Sequence, residues 1–166
     1  MIIQNFANKL AYKFQKQEES KFHHSVILNM DRVIQLNRYS CGLQTALVIL
    51  KYYRKIKSID EIPYDRKLIK KEGIDTEPLL NLIKSKGVKV EVNEKADLDD
   101  IKDALRNAKP MFISIDEGEH WVVIYGFGHD RIFVLDSALT SSLNCSWSYD
   151  DFLERWDENW IAVCSN

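Results

Sequence analysis

"QLNRYSCGLQTALVILKYY", residues 35–53, is the stretch on which the reading of this chain turns. Leu43, Ala46, Leu47 and Leu50 recur at the period of a core-facing helix, and Val48 and Ile49 fill the opposite side. A helix apolar nearly all round is a buried one. Ser40 stands where an N-cap belongs and is predicted to cap it, with Cys41 and Gly42 in the first turn. A thiol at that place meets unpaired backbone N–H groups and the positive end of the helix dipole, both of which favour the thiolate. Gln35 lies just upstream. If the thiolate attacks a carbonyl, the oxyanion that forms needs donors, and the Cys41 N–H and the Gln35 amide can supply two.

Outward from that helix, the chain has 166 residues, enough for one domain with a short appendage. Its apolar fraction of 45% and charged fraction of 29% are those of a globular protein, not a disordered one. A formal net charge of −2 gives no reason to expect a nucleic-acid partner. No apolar run approaches the roughly 18–20 residues of a membrane span. Lys9, Lys13 and Lys16 fall among or after the apolar residues of the N-terminus, unlike a secretory signal, so a soluble cytoplasmic chain is expected. Cys41, Cys145 and Cys164 are odd in number and widely spaced, which argues against a disulfide framework and a structural zinc site. No metal or other cofactor is expected.

Residues 1–25 read as a helical appendage, with Ile3, Phe6, Leu10 and Phe14 at helical spacing, and residues 26–166 as the domain. Thr76 with Pro78 is predicted to start a second helix that Gly87 ends. "VKVEV" is a strand, and Asp97 opens a third helix running to about Asn107. After Pro110 come three β-like runs, "MFISI", "HWVVIYG" and "RIFVLD". Ser148 caps a short helix, and "WIAVC" closes the chain as a strand. Helices first and mostly antiparallel strands after make an α+β layout.

The last two of the three runs are joined by a tight "FGHD" loop and should form a hairpin. A turn centred on Gly128 places His120 directly opposite Asp136, within reach of an imidazole–carboxylate hydrogen bond. Such a carboxylate fixes the ring's tautomer and leaves its other nitrogen for a nucleophile. Cys41 is the nucleophile the sequence prepares.

Gln35 followed by Cys41–Gly42 at the head of a buried helix, then "HWVV", then a strand ending "VLDSA", resembles the papain-like cysteine peptidases. Within them the pattern is most similar to the bacteriocin-processing, double-glycine leader peptidases, over about residues 26–164. The resemblance implies a papain-like fold in which the nucleophile helix packs on an antiparallel sheet. It implies Cys41 as nucleophile, His120 as general base and acid, Asp136 as orienter and Gln35 in the oxyanion hole. It also implies a peptide or protein substrate, cut after a small-residue pair. Three positions depart from the family's pattern: Ser40 where an acidic residue is usual, "CGLQTAL" for "CGPAAL", and Ser137 for the proline after the aspartate. None removes a catalytic group. The transporter and ATPase that often follow such a peptidase are missing from this sequence, so a stand-alone version is expected.

Taken singly, each residue has a plainer reading. A lone buried cysteine is usually a small hydrophobe, a lone strand-end histidine a satisfied one, and a lone glutamine solvated. His129 reads as a solvated turn residue, His23 and His24 as part of a polar linker, and Cys145 and Cys164 as packing residues. Trp147, Trp156 and Trp160 read as core. "DEGEH" reads as an exposed loop whose carboxylates lie near His120. On the same fold an acyltransferase or amidase, a protease-type toxin or effector domain, or a silent peptide-binding module are the rival functions.

Overall fold

Three of the strands that follow Pro110 carry near-continuous apolar runs because helices cover both faces of the sheet they build. In the computed structural model, residues 25–33, 39–62, 73–138, 146–156 and 158–166 are described. Gln35, His23, His24, Cys145 and residues 1–24 of the expected appendage lie outside them. The elements are β1 (Val26–Ile27), α1 (Cys41–Tyr52), a 3₁₀ turn (Ile59–Glu61), α2 (Thr76–Ser85), β2 (Lys89–Asn93) and α3 (Leu98–Arg106). There follow β3 (Met111–Ile115), β4 (His120–Phe127), β5 (Arg131–Leu135), β6 (Ser146–Ser148), α4 (Tyr149–Arg155) and β7 (Ile161–Ser165). The α+β layout is therefore the observed one. The short strands β1 and β6 offer too few residues for a periodic signal.

The sheet runs β2-β7-β3-β4-β5-β6, and β1 pairs with the far end of β4. Every pairing is antiparallel. On one face lie Phe112, Trp121, Val123, Ala162 and Cys164, packed with α1 and with Leu79, Leu80 and Ile83 of α2. On the other lie Met111, Ile113, Val122, Ile124, Ile132 and Val134, covered by Ile101 and Leu105 of α3 and Phe152 of α4. Helix α1 is buried from Cys41 to Leu50, as its all-round apolarity requires.

Two local expectations need correction. Ser40 occupies the N-cap position of α1, but its side chain makes no capping bond; its φ of −98° and ψ of 9° lie outside extended cap geometry. The β4–β5 turn is centred between His129 and Asp130, not on Gly128: the Gly128 N–H donates to the Arg131 carbonyl at 2.8 Å, leaving those two exposed residues at the tip. Helix α2 starts at Thr76 as read, with Asp75 before it in extended conformation. Elsewhere the capping chemistry is as read. Asp97 forms a reciprocal capping box with Asp100, and the Ser148 side chain accepts from the Asp151 N–H.

Candidate active site

The β4–β5 register decides how His120 meets Asp136. Beyond the turn Phe127 pairs with Ile132 and Gly126 with Phe133; after a bulge, Ile124 pairs with Val134 and Val123 with Leu135. Continuing that register sets Val122, not His120, opposite Asp136. The direct opposition expected from a Gly128-centred turn is therefore not the observed register. The two nonetheless meet, His120 at the start of β4 and Asp136 just past the end of β5, with His120 Nε2 2.7 Å from Asp136 Oδ1. The same oxygen accepts the Ala138 N–H at 2.9 Å, which fixes the carboxylate through its own turn.

With Nε2 engaged by Asp136, Nδ1 is the nitrogen left for a nucleophile. The Cys41 side chain supplies it: the thiol and the ring interact by hydrogen bond and by charge. Burial raises the thiol's pKa, but the His120 hydrogen bond, the Trp121 backbone N–H, the imidazolium charge and the Gly42 N–H together bring it below its ordinary value. Burial likewise opposes protonation of His120, yet hydrogen bonds and charge from Asp136 and Cys41 push its pKa up to about 9. Asp136 also resists burial and is held below the usual carboxylate range by His120, the Ala138 N–H and the charge of Arg155. All three shifts favour the same state, a thiolate–imidazolium pair backed by a carboxylate. Cys164 is the contrast. Its thiol is fully buried in the cluster beneath α1, and burial pushes it far above its ordinary value.

Cys41 is the first residue of α1, so its N–H has no acceptor within the helix. Gly42 permits the approach of the next wall: a Cβ there would sit 2.0 Å from Ile74 Cγ2 and 3.2 Å from Trp121 Cδ1. A cleft of about 210 Å³ opens above Cys41, with Gly73, Ile74, Asp75 and Thr76 on one side and Gly118, Glu119 and Trp121 on the other. A larger cavity of about 320 Å³, between β2, β7 and α3, holds neither a thiol nor an imidazole.

The loop carrying the second wall was legible in sequence only as exposed. Asp116, Glu117 and Gly118 have φ of 55°, 60° and 82°, three left-handed residues in succession. Two of them are not glycine and each costs about 1–2 kcal/mol there. The turn persists because Arg155 grips the Asp116 carboxylate through Nε (2.9 Å) and Nη2 (2.6 Å), while the Asp116 N–H donates to the Arg155 carbonyl at 3.0 Å. Among the described residues, no group of three or more His, Cys, Asp or Glu side chains could hold a metal ion.

A buried thiol at a helix mouth, poised by an imidazole at the start of an interior strand of an antiparallel sheet, defines the class: a cysteine peptidase with a papain-like arrangement of helix and sheet. The chain belongs to the Peptidase C39 family, whose sequence pattern matches residues 29–166. A comparison with curated proteins finds no match. Among solved structures, a double glycine motif protease from an AMS/PCAT transporter, in complex with its leader peptide, superposes with a TM-score of 0.66 at 15% identity. That match covers 84% of this chain and 93% of the other. The peptidase domain of Streptococcus ComA, a bi-functional ABC transporter involved in quorum sensing, gives 0.65 at 18% identity, covering 81% and 96%. A C39-like peptidase from Bacillus anthracis gives 0.66 at 16%, covering 86% and 98%. At such identities these likenesses concern the fold. No helix among the described residues is long and apolar enough to cross a membrane.

Proposed function

We propose that this peptidase removes the leader from a peptide precursor, cutting after a small-residue pair, with Cys41 as nucleophile, His120 as base and acid, and Asp136 as orienter. The observation that carries the assignment is the relay itself: Cys41 against His120, and His120 Nε2 2.7 Å from Asp136 Oδ1. In the proposed reaction the Cys41 thiolate attacks the scissile carbonyl carbon. A C–S bond forms, and the carbonyl π pair moves to oxygen, where the Cys41 N–H and the Gln35 amide are the proposed donors. The imidazolium passes its proton to the departing amine as the C–N bond breaks, leaving a thioester. His120 then takes a proton from water, whose oxygen attacks the thioester; the acid leaves and the thiol is regenerated.

The small-residue preference is supported by a narrow cleft with the buried Trp121 ring beside the nucleophile. Leader recognition is supported by family membership, and one fold neighbour was captured with a leader peptide. Upstream recognition is proposed to run along an apolar helical face of the leader.

The test is mass spectrometry of a peptide library incubated with wild type and Cys41→Ala. Cysteine-dependent cuts after Gly-Gly or Gly-Ala pairs are expected, with Leu or Phe at the residue before the cut blocking cleavage. Cuts spread after bulky or charged residues would exclude leader-type specificity. Acyl transfer to an added amine without hydrolysis would replace the peptidase reading with an acyltransferase.

A further inference from the structure

We infer that Arg32 is a positioning residue for the Asp136 carboxylate, its guanidinium clasping the turn that aims Oδ1 at His120. Arg32 lies between β1 and the nucleophile helix, more than a hundred residues from its partners. Its Nε donates to the Asp136 carbonyl at 3.1 Å and its Nη2 to the Ala138 carbonyl at 3.4 Å. Both bonds leave the same edge of a planar fork and land on either side of Ser137. Inside that clasp the Ala138 N–H donates to Asp136 Oδ1 at 2.9 Å, and His120 Nε2 meets the same oxygen at 2.7 Å. The carboxylate is therefore oriented by its turn, and the turn is held from outside by Arg32.

Asp136 needs such a hold because it sits one residue beyond the end of β5, where ladder hydrogen bonds no longer fix the backbone. Arg32 holds the turn through the two carbonyls, and the charge of Arg155 helps hold the Asp136 carboxylate ionised. A lysine offers one compact ammonium and cannot reproduce a planar two-point clasp. A displacement of about 1 Å in a catalytic constellation can cost about 100-fold in rate, so loosening this turn should register in the chemistry and not only in the fold.

The inference rests on the assignment of His120 and Asp136 above, and its test is chosen to need no peptide. Cys41 alkylation by iodoacetamide is followed against pH in the full chain for wild type, Arg32→Ala, Arg32→Lys, Asp136→Ala and Arg32→Ala/Asp136→Ala. The groups facing the His120 ring and its carboxylate are Cys41 from α1, Asp136 after β5, Asp116 from the β3–β4 turn and Arg155 from α4. All but Asp136 stay in place in every variant. In wild type one step marks the thiolate forming beside the imidazolium, and a second at higher pH marks loss of the imidazolium proton. Arg32→Ala should move the two steps toward each other, as Asp136→Ala does, with Arg32→Lys between. The double variant should match Asp136→Ala, since two residues acting through one carboxylate are not additive. On a cleaved peptide, kcat should fall about 10- to 100-fold with KM nearly unchanged. A wild-type alkylation profile in Arg32→Ala, or additive shifts in the double variant, overturns the assignment. Where Arg32→Ala lacks a cooperative thermal transition, Arg32→Lys and Arg32→Gln, each keeping a donor, decide it by the same profile. Loss of the leader-peptidase reading through absent cleavage would leave the alkylation result standing.

Discussion

The indole N–H of Trp121 donates to the Ile74 carbonyl at 3.0 Å, joining the strand that carries His120 to the segment that leads into α2. The two walls of the cleft are thereby tied together just behind the nucleophile. Phe112 and Trp160 both brace the ring edge-on, with centroids 5.8 Å away in each case. Trp121→Phe should keep the apolar contact but leave the buried Ile74 carbonyl without this donor, at a cost of about 1–3 kcal/mol. Thermal denaturation measures that loss. Cys41 alkylation should keep its pH dependence, because the Trp121 group that stabilises the thiolate is the backbone N–H.

The two described cysteines should differ sharply in reactivity. Cys41 has its thiol lowered and Cys164 has its thiol raised, the latter at 0% exposure. At pH 7 iodoacetamide should modify Cys41 at least about 100-fold faster than Cys164, since the thiolate is the reacting form. Peptide mapping of the alkylated protein reads the ratio. Cys41→Ala should abolish turnover and leave the thermal midpoint nearly unchanged. Equal labelling of the two residues would remove the physical basis for the nucleophile.

Gln44, one turn along α1 from Cys41, is buried and its Oε1 has no hydrogen-bond partner among the described residues. A buried carbonyl oxygen without a donor costs about 1–3 kcal/mol, and replacing it with an apolar group of similar shape removes that cost. Gln44→Met is expected to raise the thermal midpoint by a few degrees with kcat unchanged. An unchanged or lowered midpoint would show that the oxygen is satisfied by water.

The sequence carried the helix of Cys41, the β4–β5 hairpin and the final strand, because apolar period and capping residues act locally. Cys41 and Asp97 are examples: each is placed by its own neighbours. The β4–β5 register was not legible, since it depends on a bulge near Tyr125 and on a turn centred between His129 and Asp130. A hairpin turn at Gly128 or at His129–Asp130 differs by less than local propensity resolves. Arg155 gripping Asp116, and Arg32 clasping the Asp136 turn, join positions far apart in the chain, and no local pattern marks such pairs. The three left-handed residues of the β3–β4 turn show what local preference alone would have rejected, and a tertiary ion pair overrides it.

The raised pKa of His120 makes stability depend on pH with a definite sign. Below its unfolded value of 6.5 the ring is protonated in both states, and the stabilisation from Asp136 and Cys41 is fully present. Between 6.5 and about 9 the folded protein keeps a proton the unfolded chain has released, so stability falls as pH rises. Asp136 behaves oppositely: its folded pKa lies below 3.8, so its contribution is present above 3.8 and is lost as pH falls through the folded value. The midpoint difference between wild type and Asp136→Ala should therefore be largest between about pH 4 and 6.5, shrinking toward 9 and toward strong acid. Thermal melts across that range check it. A difference that grows from pH 6.5 to 9 would reverse the assigned direction of the His120 shift.

The last prediction concerns Gln35, which lies outside the described residues but stands six positions before Cys41 in the sequence. The first turn of α1 already offers the Cys41 N–H, and Ser40 places no side-chain oxygen over it. One backbone donor is a weak support for an oxyanion; a second, aimed at the same point, strengthens mainly when charge develops. The Gln35 amide is proposed to be that second donor. Removing one such donor elsewhere costs about 2.7–4 kcal/mol of transition-state stabilisation, or roughly 100- to 1,000-fold in kcat. Gln35→Ala should fall in that range with little change in KM, because the ground-state carbonyl gains little from the contact. Cys41 alkylation should remain near the wild-type rate, since forming a thioether builds no oxyanion. Steady-state kinetics and alkylation on the same preparation separate the effects. A rise in KM at constant kcat would place Gln35 in substrate binding and not in the oxyanion hole.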